Sequence, residues 1–223
     1  MASEATSVIT KPGLDQKRRR IRGELTSAAR RFTAERGLSG FTVQELSDMV
    51  GISRRTFFNY FPSKEDAVLG LGMGADEALT AEFMAAGAST SRSALIDDLA
   101  EFGIAHFTYV GLTRTEVEEF LAAIRREPSL LTTLLDFDQA QTRRFVEMVA
   151  TRERMSDPTE AMVAVAVMNS LMRLSGEAFF AEANTQTFDQ IFRGYLAAAT
   201  TLLSPAGDRD RDQQRSKDRV TTS

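Results

Sequence analysis

"GISRRTFFNYFPSKEDA", residues 51–67, places basic, aromatic and turn-forming residues side by side in a segment long enough for one short helix. At 100° per residue, Phe57 and Phe61 lie on one face of such a helix. Arg55 and Asn59 point away from that face. The spacing therefore predicts a helix with an aromatic inner face and a basic, polar outer face.

A second short helix is predicted just before this one, in "FTVQELSDMVG", residues 41–51. Thr42 followed three residues later by Glu45 is a capping box, and Gly51 is a residue that commonly ends a helix. Two short helices joined by a glycine-containing turn, with a basic outer face on the second, indicate a helix-turn-helix motif over residues 42–61.

The charge distribution favours contact with a polyanion at one end of the chain. The 223 residues carry a formal net charge of −4. Residues 11–64 nevertheless contain twelve Lys or Arg against five Asp or Glu, whereas residues 65–223 contain fifteen against twenty-five. In a helix-turn-helix, the second helix enters the major groove of DNA, where Arg, Thr and Asn reach base edges. We therefore expect DNA binding through the basic N-terminal part.

Helical spacing of apolar residues continues through the rest of the chain, and no segment shows the alternation of a strand. We expect an all-α protein of about nine helices. The predicted helices cover about 15–36, 43–50, 54–61, 64–86 with a bend at the glycines between 70 and 74, 92–110, 113–127, a segment to about 155, 159–182 and 187–203.

The segment "FTVQELSDMVGISRRTFFNYFPSKEDAVLG", residues 41–70, with "AARRFTAERG" at 28–37, resembles the DNA-binding domain of the TetR family of bacterial transcriptional regulators. The matching elements are Thr-Val-x-Glu-Leu, Val-Gly-Ile-Ser and Thr-Phe-Phe-x-Tyr-Phe-Pro-Ser-Lys-Glu, and the resemblance covers about residues 19–79. It implies a sequence-specific DNA-binding regulator, with repression as the favoured role and release from a palindromic operator by a small-molecule effector.

The resemblance also implies roles for individual residues. In this family a tyrosine usually stands where this chain has Phe58, and its hydroxyl contacts the operator backbone. Phe58 lacks that hydroxyl, so its contact with DNA is left open. Phosphate contacts are implied for Thr42, Tyr60 and Lys64, and base or groove contacts for Gln44, Arg54, Arg55, Thr56 and Asn59. The basic cluster at 17–20 is equally consistent with phosphate contacts and with a solvated helix start.

The domain organisation follows from the same resemblance. We expect a disordered arm over 1–14, a three-helix DNA-binding core over 15–64, an effector-binding and dimerisation domain over 65–203, and a disordered, charged tail over 204–223. In the family, the last two helices form a four-helix bundle across a two-fold axis. Residues 158–203 are therefore expected to form a homodimer, which a palindromic operator also requires.

A largely apolar effector is expected between the middle helices. "EFGIAHFTY", residues 101–109, is the first candidate for the wall of the pocket, with His106 as its polar anchor. Ordinary core packing is the alternative for each of the aromatic residues. The predicted pocket residues are Phe102, His106, Tyr109, Phe120, Phe137 and Met148.

Several other classes of function are disfavoured. The chain has no cysteine and one histidine, so we expect no metal site, and no cofactor motif is recognisable. "GLGMG", residues 70–74, is not a dinucleotide-binding motif and follows no strand, and His106 has no nucleophile in a suitable setting. We expect no enzymatic activity, no membrane span and a cytoplasmic location. The alternative to a DNA-binding regulator is a helical protein-interaction module with a degenerate helix-turn-helix.

Overall fold

The computed structural model describes residues 12–71 and 77–203. The predicted arm up to residue 11 and the predicted tail from 204 lie outside the described residues. Those described form ten α-helices and one short 3-10 helix, Leu38–Gly40, and contain no strand. The helices are α1 Pro12–Arg36, α2 Val43–Val50, α3 Arg54–Phe58, α4 Lys64–Leu69, α5 Glu77–Ala85, α6 Arg92–Val110, α7 Arg114–Arg126, α8 Leu130–Arg152, α9 Thr159–Phe179 and α10 Phe188–Leu203. The all-α class predicted from the sequence is confirmed.

The single helix predicted over 64–86 is wrong. Gly70 adopts the left-handed conformation, with φ 75°, and its N–H donates to the carbonyls of Ala67 and Asp66. This is the conformation in which glycine ends a helix without steric cost, so α4 stops at Leu69. A separate helix, α5, begins at Glu77.

The chain divides into two compact units. The first contains the described residues of Met1–Glu77 and Val110–Arg144, and the second contains those of Ala78–Tyr109 and Phe145–Ser223. The sequence instead predicts a single boundary near residue 64, and those predicted domain limits stay a prediction.

The first unit is built around α1, which packs against α2, α4 and α7. Apolar residues recur along α1 at spacings of three and four, so one stripe of this helix faces inward. Leu25 and Ala29 in that stripe are fully buried, as are Leu46 of α2 and Val68 of α4. These side chains form one core that fixes the short helices α2 to α4 on the long helix α1.

The second unit has its own core. Buried side chains come from α5, α6, the last two turns of α8, α9 and α10. Phenylalanine dominates at one end, where the rings of Phe107 and Phe188 stack with centroids 3.6 Å apart and Phe179 meets Phe107 edge-on at 5.4 Å. Aromatic pairs of this kind add about 0.5–1.5 kcal/mol beyond the area that they bury.

Candidate nucleic-acid interface

Local hydrogen bonds fix the two short helices of the predicted motif. The Oγ1 of Thr42 accepts the N–H of Glu45 at 3.2 Å, and Glu45 Oε2 accepts the N–H of Thr42 at 2.7 Å, which completes the capping box. Gly51 ends α2 with φ 74° and ψ 34°, a left-handed conformation. Ser53 then caps α3 by accepting the N–H of Thr56 at 3.0 Å. The turn that sets the angle between α2 and α3 is therefore specified by local sequence.

The aromatic inner face of α3 is confirmed. Phe57 and Phe61 are both fully buried, and their ring centroids lie 6.0 Å apart. The helix ends at Phe58, earlier than predicted, but the N–H of Phe61 still donates to the carbonyl of Phe57 at 3.0 Å. The helical register thus continues far enough to bury both rings.

The side chains predicted to contact bases lie on α2 and α3. Arg54, Arg55 and Asn59 are exposed, as the sequence predicts for the outer face. Thr56 is half-buried, and its hydroxyl lies 2.8 Å from that of Ser53. Two exposed arginines therefore extend from one short, capped helix, and the exposed Asn59 is the C-cap residue that follows it.

Gln44, the remaining predicted base contact, lies on α2. It is exposed, and its amide nitrogen donates to Asp48 Oδ1 at 2.7 Å. This hydrogen bond holds the side chain along the helix, so a contact with a base would require the amide to exchange Asp48 for the base edge.

The side chains predicted to contact phosphates are more constrained. Thr42 donates its hydroxyl proton to Glu45 at 2.9 Å as part of the cap. Tyr60 is half-buried against the core of the first unit. Lys64 is half-buried, and its ammonium donates to the carbonyls of Leu38 and, at 3.3 Å, Phe41. An ammonium has three protons, so Lys64 keeps one N–H for a phosphate while two hold the turn before α2.

Sequence reasoning missed the contacts that tie α1, α4 and the 3-10 helix before α2 to α7. Arg30 of α1 is buried, and its guanidinium donates to the carbonyls of Val68, at 2.9 Å, and Glu116, at 3.1 Å. The N–H of Leu38 donates to Glu127 Oε1 at 2.9 Å. Burial lowers the pKa of Arg30, and nearby glutamates on α7 offset part of that effect. These partners lie far apart in sequence, where no local pattern reveals them.

The predicted effector residues are divided between the two units. Phe120 and Phe137 belong to the first unit, where Phe120 packs against the core with the guanidinium of Arg30 5.3 Å from its ring. The other four predicted residues belong to the second unit: Phe102, His106, Tyr109 and Met148. Within it, the rings of Phe102 and His106 are nearly parallel at 6.5 Å.

A cavity of about 200 Å³ lies within the second unit. Of the six predicted pocket residues, Phe102 is the one that lines it. The other lining residues come from α5, the residue that follows it, α6 and the last residue of α8: Leu79, Glu82, Phe83, Ala86, Asp98, Glu101, Ala105 and Arg152.

Arg152 organises one wall of this cavity and was not recognised from the sequence. Its buried guanidinium donates to the carbonyl of Phe83 at 2.9 Å, to Asp98 at 2.5 Å and to Glu153 at 2.6 Å. A further N–H reaches the hydroxyl of Ser89 at 3.0 Å. Burial tends to raise the pKa of Asp98, but the hydrogen bonds from Arg152 and Ser89 and the charge of Arg152 outweigh it, so this pKa lies below its ordinary value.

The described ranges do not meet the requirements of a metal site or of a membrane-spanning helix. Residues 16–71 and 78–203, whose side chains are described, contain no cluster of three or more His, Cys, Asp or Glu placed to bind a metal ion. None of the helices in these ranges combines the length and the apolar character needed to cross a bilayer.

Comparisons with known proteins agree with the helix-turn-helix geometry. The sequence model described as "Bacterial regulatory proteins, tetR family" matches residues 25–69. The chain is 27% identical over 186 residues to the HTH-type transcriptional regulator TcmR of Streptomyces glaucescens, an alignment that covers 78% of this chain and 80% of TcmR. These two matches confirm the family resemblance that the motif predicts.

Solved structures of regulators also align with this chain. The ketosteroid transcriptional regulator KstR2 of Mycobacterium tuberculosis is 20% identical, with 79% of this chain and 91% of that chain covered and a TM-score of 0.41. The TetR family transcriptional regulator PfmR from Thermus thermophilus is also 20% identical, with 77% and 93% covered and a TM-score of 0.37.

Proposed function

This chain belongs, through its N-terminal domain, to the TetR family of bacterial regulatory proteins, and from that premise we propose that it is a transcriptional repressor. It binds a palindromic operator as a homodimer and leaves it when a small-molecule effector binds. Its place of action is the cytoplasm, where the DNA of a bacterium lies. The DNA that flanks its gene is the first place to search for the operator and for the regulated genes.

The outer face of α3 is the observation that carries this proposal. Phe57 and Phe61 bury one side of the helix completely, which leaves Arg54, Arg55 and Asn59 exposed on the other. The guanidinium of Arg matches the two acceptors of guanine, and the amide of Asn matches adenine. A helix held by caps and by two buried rings can present these groups to a major groove without further ordering.

The phosphate contacts in this proposal come from Thr42, Tyr60 and Lys64. They position the motif on the duplex and carry no sequence information themselves. Lys64 is the strongest of these candidates, because its ammonium is charged and is already held in place by two carbonyls.

Large apolar side chains exposed on α9 and α10 support the homodimer. Large apolar side chains of a soluble monomer are rarely left exposed in a continuous group. Association of the two helices with their counterparts in a second copy would cover them, and a two-fold dimer would bring two copies of α3 to two half-sites. The exposed side chains are Met162, Val163, Leu174, Tyr195, Leu202 and Leu203.

An effector site in the second unit is supported by its cavity of about 200 Å³. Phe83 and Phe102 give it apolar walls, with ring centroids 5.3 Å apart, so a small and largely apolar molecule fits best. Release from DNA requires that this molecule bind one conformation of the dimer more tightly than the other.

The proposal is tested by selecting duplexes from a random pool with the purified protein and then measuring affinity for the selected operator as salt rises. A palindrome should emerge, and the logarithm of the binding constant should fall linearly with the logarithm of salt concentration as counterions are released. If no duplex is retained even at low salt, the chain is better described as a helical protein-interaction module with a degenerate motif.

Two further measurements address the dimer and the effector. Val163→Arg should convert the dimer to a monomer by sedimentation analysis, whereas a substitution on the far side of the unit should not. Small molecules that raise the thermal stability of the protein should lower its operator affinity. If every such ligand leaves operator affinity unchanged, release by an effector is refuted, although DNA binding itself would stand.

A further inference from the structure

Between residues 16 and 71, where side-chain exposure is described, the strongly exposed large apolar side chains lie in the helix-turn-helix. Over residues 16–71, the large apolar side chains with strong exposure are Met49, at 48%, and Phe58, at 47%. Met49 lies on α2, where its sulfur accepts a hydrogen bond from Arg31 at 3.2 Å, and Phe58 is the last residue of α3. A phenyl ring exposed at the end of the helix that carries Arg54 and Arg55 is placed to contact an apolar group on whatever this helix binds.

The ring of Phe58 has a fixed position. It meets the fully buried ring of Phe57 edge-on, with centroids 5.4 Å apart and planes at 90°. The guanidinium of Arg54 lies over the ring, 5.8 Å from its centroid, within the range of a cation–π contact. Phe58 is therefore held beside a side chain that is predicted to read bases, and cannot fold away from a bound duplex without breaking both contacts.

A phenyl ring offers no hydrogen-bond donor or acceptor, which narrows what it can recognise on DNA. It cannot bond to a phosphate oxygen or to the polar groups that distinguish guanine, adenine and cytosine. The 5-methyl group of thymine is the apolar feature that base edges present in the major groove. An apolar contact in the groove therefore selects thymine.

We propose that Phe58 is a specificity-determining residue that reads thymine through its 5-methyl group, one such base in each half-site of the operator. This inference rests on the proposed function, because it needs α3 to enter the major groove. It assigns to Phe58 a role in sequence selection, which a contact with the sugar–phosphate backbone would not give.

The expected effect can be sized from the group involved. Deoxyuridine differs from thymidine only by the missing 5-methyl group, so the exchange leaves every hydrogen bond in place. Loss of one buried methyl group corresponds to roughly fourfold weaker binding, and the loss at both half-sites to about fifteenfold.

The experiment uses the operator selected by the wild-type dimer from random duplexes. Each thymine is replaced by deoxyuridine, symmetrically in both half-sites, and affinities are compared at one salt concentration. One symmetric pair should weaken binding about fifteenfold. Phe58→Ala should bind the thymine and deoxyuridine duplexes equally, Phe58→Leu should keep part of the preference, and Met49→Ala, a similarly exposed apolar side chain on α2, should keep all of it.

The outcomes separate this inference from the function on which it rests. If no operator is selected, both fall. If an operator is selected but no deoxyuridine substitution weakens wild-type binding, Phe58 does not read thymine, although the regulator does bind DNA. If Phe58→Ala binds all duplexes more weakly and keeps the thymine preference, the ring packs against sugar instead. If Phe58→Ala does not fold, Phe58→Leu replaces it: its preference for thymine should be smaller than that of the wild type, and an unchanged preference would refute the role of Phe58.

Discussion

Substitution of Lys64 by methionine separates the hydrogen bonds that its ammonium makes within the protein from the phosphate contact that we propose for it. The ammonium donates to the carbonyls of Leu38 and Phe41 and lies 5.2 Å from the Phe41 ring, which leaves one N–H for a phosphate. Methionine keeps an unbranched stem over the ring but removes the charge and all three donors. The loss of folding stability and the loss of DNA affinity should therefore appear in separate measurements.

The loss of stability is measured as a free energy of unfolding, and the loss of DNA binding as a change in salt dependence. Hydrogen bonds from charged donors contribute about 1.5–3 kcal/mol each, and partial exposure of Lys64 reduces this. We expect Lys64→Met to lower the free energy of unfolding by about 2 kcal/mol, which lowers the melting temperature by about 4–8 °C. Loss of one phosphate contact per subunit should reduce the slope of log K against log salt by about 0.9 per subunit, or about 1.8 for the dimer.

Operator binding by fluorescence anisotropy from low to moderate salt, with thermal unfolding of the same samples, measures both effects. Lys64→Arg should retain the slope because it keeps the charge, and Arg143→Met, an exposed cation on α8, should change neither quantity. Lys64→Met should weaken binding to operator DNA and to random DNA by the same factor. An unchanged salt slope with lowered stability would refute the phosphate contact and leave Lys64 a structural residue of the turn before α2.

Three further outcomes follow from other contacts. Arg55→Ala should cost about 1–3 kcal/mol of operator affinity and relax selection at one base pair; an equal loss on random DNA would make Arg55 a phosphate contact. Arg30→Met should lower the free energy of unfolding by about 3 kcal/mol, because a buried carbonyl on α4 and a part-buried carbonyl on α7 lose a charged donor; a melting temperature within 2 °C of wild type, on the order of a 1 kcal/mol change, would show that these contacts contribute little. The pKa of Asp98 lies below its ordinary value of 3.8, so its pairing with Arg152 stabilises the fold fully above that pH and is lost as pH falls through the lowered pKa. Melting temperatures from pH 7 to pH 2 should therefore fall more steeply for wild type than for Asp98→Asn once the pH is below about 4; parallel curves over that acidic range would contradict this.

The parts of the interface that the sequence predicts are those governed by neighbours in the chain. The capping box of Thr42 and Glu45, the left-handed Gly51 and the Ser53 cap each involve residues within a few positions of one another. Burial of Phe57 follows from a spacing of four residues with Phe61 in a single helical turn. Such features depend on local backbone geometry, which the residue types themselves impose.

The parts that the sequence does not predict depend on contacts across long separations. Arg30 and Lys64 look like solvent-exposed cations in their local sequence, yet both donate to backbone carbonyls that the tertiary fold brings to them. The prediction of a single helix over 64–86 was wrong for a different reason. The periodic apolar residues there continue past Gly70, and periodicity alone does not reveal that this glycine adopts a positive φ.

The shortness of α3 bears directly on how it could read DNA. A helix of five residues is far below the length of about 12–15 at which isolated helices become marginally stable in water. Its conformation must therefore come from outside the segment: from the Ser53 cap, from the left-handed Gly51 before it, and from the two buried rings on its inner face. Because these constraints already exist in the free protein, binding would order only the outward side chains of Arg54, Arg55 and Asn59. Substitution of either buried ring should thus reduce discrimination between operators before it reduces attraction to DNA, since net charge is unchanged while the angle at which these side chains enter the groove is no longer fixed.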